Sequence, residues 1–175
     1  RSGSMETGEE ATERAINGFL DKQRAAAGYT VVTLVEFDHE IRTLYDQVPI
    51  NYVAPYKLEP RGNTALYEAI GCTIDQVGKA LAETREEFRP GLVMFAIFTD
   101  GLNNVNLNHS KASVKEKIEH QEKVYSWQFS YIGANQDAFA EADDLGMARG
   151  SALTYAPGNH RWADGLSNKL ARMKG

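Results

Sequence analysis

The stretch Leu92-Val93-Met94-Phe95-Ala96-Ile97-Phe98 is uninterrupted apolar chain, and it stops abruptly at Thr99-Asp100-Gly101. A run of that kind marks a strand covered on both faces, the situation of a strand inside a parallel sheet. It is far shorter than the roughly 20 apolar residues a membrane span requires. Pro90-Gly91 resets the chain direction just before it. A doubly buried strand needs helices above and below, and helical and strand patterns do alternate on either side of it.

Glu6, Glu9 and Glu10 precede Ile16, Phe19 and Leu20, an anionic start followed by a helical apolar stripe, which predicts a helix from about Glu9 to Ala27 ended by Gly28. Thr30 to Phe37 is dense in β-branched and aromatic residues and reads as a strand. Asp38-His39-Glu40 breaks it, and Ile41 to Tyr45 resumes, so the two predict a hairpin at an antiparallel edge. A loop punctuated by Pro49, Pro55, Pro60 and Gly62 leads to the clearest amphipathic helix, with Leu66, Ala69, Ile70, Thr73, Ile74, Val77, Ala80 and Leu81 at helical period. Beyond the apolar strand, Val114, Ile118 and Tyr125 predict a helix begun near Ser110. Trp127 to Ile132 predicts a strand closed by Gly133-Ala134-Asn135, with Trp127 as packing rather than a ligand platform. Asp137 to Leu145 reads as a short helix, Ala152 to Tyr155 as a short strand and His160 to Met173 as a terminal helix. The expected class is α/β: one doubly wound domain over residues 1–175, in three layers, with a mainly parallel central sheet, one antiparallel edge strand and helices on both faces.

In such sheets ligands sit beyond the carboxyl ends of the strands, so the loops there come first. Ser2 and Ser4 precede the first helix, Thr64 opens the second after Gly62-Asn63, and Asp100 ends the apolar strand. Hydroxyls and a carboxylate, with no histidine or thiol among them, are hard oxygen ligands suited to Mg²⁺ or Mn²⁺. Taken singly, each hydroxyl is an ordinary helix cap and Asp-Gly an ordinary turn; their joint placement at the ends of separate elements favours a site. Asn103, Asn104 and Asn135 lie on post-strand loops that would form its rim, or else serve turns and caps.

These segments resemble a known family. Arg1-Ser2-Gly3-Ser4-Met5 resembles the tail of the Asp-x-Ser-x-Ser motif of von Willebrand factor A domains. Gly62-Asn63-Thr64-Ala65-Leu66-Tyr67-Glu68-Ala69-Ile70 resembles their Gly-x-Thr-x-Leu-x-x-Ala-Ile segment, and Phe98-Thr99-Asp100-Gly101 their Thr-Asp-Gly. The three stand in family order, and Trp127 to Ala138 is similar to small stand-alone A-domain proteins of bacteria and phages. The resemblance implies a metal-ion-dependent adhesion site. Ser2 and Ser4 would ligate Mg²⁺ directly, Thr64 would join or leave the inner shell, Asp100 would act mainly through water, and an Asp or Glu of a partner protein would complete the octahedron. The family's first aspartate, and the central strand that ends in it, would precede Arg1.

The expected function is therefore non-enzymatic, metal-dependent protein binding. A metal-dependent hydrolase or phosphotransfer enzyme built on the same oxygens, or an assembly subunit with a vestigial metal site, are the alternatives. No dinucleotide, Walker or nucleophile-elbow motif occurs, and no general base is nominated. His39, His109, His120 and His160 show no metal spacing with one another or with Cys72, so each reads as solvated and zinc is not expected. A net charge of -5 offers no footprint for nucleic acid or an anionic membrane. A single cysteine and no leader pattern suggest the cytoplasm, and oligomeric state is left open.

Overall fold

Glu9 and Glu10 supply the negative charge that favours a helix N-terminus, and α1 (Glu9–Ala25) begins there. The computed structural model describes residues 9–99, 101–134, 137–155, 164–168 and 171. Helix α1 stops two residues before the expected Ala27, and Gly28 follows at φ +104. The hairpin is β1 (Val31–Phe37) and β2 (Ile41–Pro49). Strand β2 outruns its predicted end at Tyr45 because the ladder survives two register shifts, between Val32 and Leu34 and between Leu34 and Val35. At that bulge Gln47 adopts φ 50 and its N–H donates to Thr33 Oγ1 at 3.1 Å, so a side chain replaces the missing ladder bond.

The Pro-punctuated segment is docked along α1 rather than free. Asn17 exchanges two hydrogen bonds with the Tyr56 backbone, at 2.8 and 2.6 Å, and Glu13 accepts from Leu58 N–H at 2.7 Å. Next come α2 (Leu66–Glu83), β3 (Met94–Thr99), α3 (Lys111–Tyr125), β4 (Gln128–Ala134), α4 (Asp137–Asp144) and β5 (Ala152–Tyr155). Short 3-10 turns occupy Ile50–Tyr52 and Glu86–Phe88. Of the terminal helix expected from His160 to Met173, residues 164–168 and 171 are helical and the remainder lies outside the described residues.

Strands β3, β4 and β5 form a parallel sheet in that order. Side-chain alternation sends its two faces into two cores. Phe95, Ile97, Phe129 and Tyr131 join Leu66, Ile70 and Ile74 of α2 and Val114 and Ile118 of α3 on one side. Met94, Phe98, Ile132 and Leu153 meet Ala15, Ile16 and Phe19 of α1 and Leu166 on the other. The molecule is thus α/β with helices on both faces of a parallel sheet, as expected. Trp127 is core packing, whereas Tyr125, expected on the buried stripe of α3, is 60% exposed.

The single central sheet is not observed. Among the described residues β1 and β2 form their own sheet, and no ladder joins β1 to β3. The consequence falls on β3, which reads as doubly buried yet ends its sheet with Ala96 exposed and Met94, Phe95 and Phe98 half-buried. Helix α2 spans the two sheets, because Phe37 of β1 packs into the same cluster as Ile97 of β3.

Helix α3 starts where the sequence predicted. Ser110 accepts from Ser113 N–H, and Ser113 Oγ accepts from Ser110 N–H at 3.0 Å, a reciprocal cap. Ser110→Ala is expected to cost about 1 kcal/mol in urea unfolding; a loss under a few tenths would show that water replaces the cap.

Candidate functional site

The carboxyl end of β1 and the loop that follows β3 converge on the start of α2. Ala65 N–H donates to the Asp38 carbonyl just past β1, at 2.7 Å. Beyond β3, Thr99 Oγ1 accepts from Gly101 N–H at 3.2 Å and donates to Gly101 O at 3.0 Å. Thr64 lies between them and is 3% exposed.

Thr64 is not the helix cap that its position suggests. The N-cap of α2 is Ala65, which has no side-chain bond to offer. The free N–H groups are met from across the chain instead. Asn104 Oδ1 accepts from Thr64 N–H at 2.8 Å while Asn104 N–H donates to Thr64 O at 3.0 Å. Asn103 Oδ1 accepts from Tyr67 N–H at 3.1 Å, and its amide donates to Asn106 Oδ1 at 3.0 Å. Of the two asparagines, expected at a rim or in a turn, Asn103 caps α2 in trans and Asn104 pins the residue before its N-cap. The Thr64 hydroxyl takes no hydrogen-bond partner among the described residues. Ser2, Ser4, Asp100 and Asn135 lie outside the described residues.

One turn further along α2, Glu68 holds the same loop. Its Oε2 accepts from the N–H groups of Asn108 and His109 at 2.8 and 2.9 Å, and Oε1 accepts from Asn108 Nδ2 at 2.9 Å and the Cys72 thiol at 3.5 Å. Burial pushes the Glu68 carboxyl up, but these donors outweigh it and hold it below its ordinary value. Burial, then the Glu68 charge, pushes the Cys72 thiol up. His109 does not fit the expectation of a solvated histidine: its side chain is 16% exposed. The i, i+4 pair Glu68 and Cys72 is visible in the sequence, but nothing local announces that residue 109 closes onto it.

A second polar group ties α4 to the same edge. Tyr67 donates to Glu141 Oε1 at 2.9 Å, and Lys111 Nζ donates to Glu141 Oε2 at 3.2 Å and Asp144 Oδ2 at 2.6 Å. Burial opposes the charge on Lys111, yet Asp144 and Glu141 outweigh it and raise its pKa. Burial and then Glu141 push both the Tyr67 and the Tyr131 phenols above their ordinary value.

Asp38, His39 and Glu40 also bring ligand-type atoms together. Arg61 already supplies the cation there, with Nε 2.8 Å from Asp38 Oδ2 and a nitrogen 3.1 Å from Glu40, so this cluster is an ion-pair network.

A scan against protein-family models finds no match, and a search of curated proteins finds none. What fold and site together define is a class: an α/β protein with a parallel three-stranded sheet, a separate antiparallel pair, and a polar junction at the strands' carboxyl edge. No helix among the described residues is long and apolar enough to cross a membrane.

Proposed function

We propose that this chain is a von Willebrand factor A-type module that binds an acidic side chain of a partner protein through Mg²⁺ or Mn²⁺, without turnover. The observation that carries this is the placement of Thr64: a nearly buried threonine, its hydroxyl without a partner among the described residues, where the end of β1 and the loop after β3 meet the start of α2. Its backbone is fixed by Asn104, so the hydroxyl is pre-positioned rather than spent on a cap. An oxygen donor of this kind suits a hard cation. Ser2, Ser4 and Asp100 would supply the remaining protein oxygens, and a partner's carboxylate would fill the open position.

Such a module needs one doubly wound sheet, with a strand between β1 and β3 that ends at the metal. Among the described residues both β1 and β3 are end strands, and Met94, Phe95 and Phe98 of β3 are half-buried while Ala96 is exposed, which supports a strand in that place. The acidic overall charge fits a protein ligand held through a metal better than a phosphate backbone.

Calorimetric titration of Mg²⁺ and Mn²⁺ into metal-stripped protein tests the proposal. Saturable binding at one equivalent is expected, weakened about tenfold or more, or about 1.4 kcal/mol, by Asp100→Ala and by Thr64→Ala. No binding heat, or affinity indifferent to both substitutions, would remove the metal-dependent mechanism.

A further inference from the structure

Away from the oxygen cluster, the face of α2 that meets the start of α3 gathers a different chemistry. Glu68, Cys72 and His109 each present a ligand atom, and these atoms lie within 4.8 Å of one another. We propose that Glu68, Cys72 and His109 form a second metal site, selective for a thiolate- and imidazole-preferring divalent ion of the zinc class and independent of the Mg²⁺ site.

Geometry is the first support. Ligands on tetrahedral zinc stand about 3.3–3.7 Å apart, given bond lengths of about 2.0–2.3 Å. Cys72 Sγ and Glu68 Oε1 are already 3.5 Å apart. The imidazole must therefore close by at most about 1.5 Å, a side-chain rotation, since its backbone is anchored by the 2.9 Å bond from His109 N–H to Glu68.

The second support is that the surroundings hold the ligands in place. A Cβ at position 71 would stand 2.5 Å from His109 Cγ and Nδ1, so only glycine lets the ring lie against α2 between the other two ligands. Glu68 is oriented by two backbone N–H groups and the Asn108 amide, which leaves Oε1 facing the thiol. Asp75 Oδ2 lies 3.9 Å from His109 Nε2, beyond hydrogen-bond distance but near enough to add negative charge beside the imidazole, and Lys117 pairs with Asp75.

Charge is the third. The thiol proton that now points at Glu68 would leave to solvent as the sulfur–metal bond forms. Thiolate and carboxylate then neutralise the dication while histidine stays neutral, which suits a half-buried position. Three protein ligands leave the fourth position to water.

The test uses Co²⁺ as a spectroscopic stand-in on the whole chain. One equivalent is expected to produce a thiolate-to-cobalt charge-transfer band with tetrahedral ligand-field absorption. One equivalent of Zn²⁺ displaces it, and excess Mg²⁺ leaves it in place. Cys72 is the sole cysteine, so alkylation monitored by mass spectrometry reads it alone; Zn²⁺ should slow the reaction about tenfold or more, and a chelator should restore it. Cys72→Ser should abolish the band. His109→Ala and Gly71→Ala should each weaken binding about 10- to 100-fold. Gly71→Ala removes no ligand and adds helix propensity, so circular dichroism will separate an expelled imidazole from an unfolded chain. The proposal is overturned by a cobalt spectrum that stays that of the hydrated ion, by alkylation indifferent to Zn²⁺, or by binding that survives His109→Ala and Gly71→Ala unchanged. Loss of Mg²⁺ binding with the cobalt band retained would count against the adhesion-type reading alone.

Discussion

Glu68→Ala is expected to destabilise the protein by about 3 kcal/mol and to free the segment around Asn108 and His109. A buried carboxylate that accepts two backbone N–H groups, an amide and a thiol is worth far more than an exposed one, because hydrogen bonds to a charged group contribute about 1.5–3 kcal/mol each and orphaned donors add their own cost. Asn108 is exposed, so water takes over much of this bonding when the carboxylate is removed, which holds the net cost well below the sum of the four bonds. For a chain of this length the melting temperature should fall by about 6–12 °C. Amide exchange at 108 and 109 should accelerate more than in the core of α2. Glu68→Gln, which keeps the shape and one acceptor, should lose about half as much.

The acid dependence follows from the same bonds. The folded Glu68 carboxyl lies below its ordinary value of 4.5, so its stabilisation is fully present above that pH and is lost as pH falls through the depressed value. The stability gap between wild type and Glu68→Gln, measured by urea unfolding of metal-free protein, should therefore be widest at neutral pH and close in acid. A gap constant from neutral pH down to about pH 3 would show that the carboxylate's charge does not stabilise the loop.

Phe129→Ala is expected to be the more damaging change, at about 3–5 kcal/mol. Phe129 is 1% exposed on the middle strand of the parallel sheet, with Phe95 at 5.2 Å and 31° and Trp127 at 6.3 Å and 28° between ring centroids and planes. Removing the ring deletes two aromatic contacts, and the strands on either side hold the cavity open, because their ladders fix the spacing. Urea unfolding should show a lower midpoint at unchanged slope. A loss below about 1.5 kcal/mol would mean that the core collapses onto the site.

Elements set by local chemistry were legible in the sequence. The helical period from Leu66 to Leu81, the short strand from Ala152 to Tyr155 and the start of α3 at Ser110 all depend on residues within a turn or two of one another, and the structure places them there. Strand β2 was cut short at Tyr45 because its continuation runs through a bulge, which breaks the alternation that a strand shows. Of the four oxygen ligands expected from the sequence, Thr64 stands beside the loops that follow β1 and β3, and Ser2, Ser4 and Asp100 lie outside the described residues.

Contacts between distant residues were not legible. Asn103 caps α2 across 36 positions, Asn104 holds Thr64 just before it across 40, and Glu68 reaches His109 across 41. The same amides in sequence fit a turn equally well, since what decides is which helix end lies within 3 Å, and only the folded chain supplies that. The apolar run of β3 carries the same lesson. Its residues determine that it is a strand with two apolar faces, because side-chain alternation is local. Whether another strand lies along its edge is decided by main-chain hydrogen bonding between segments, which composition does not encode.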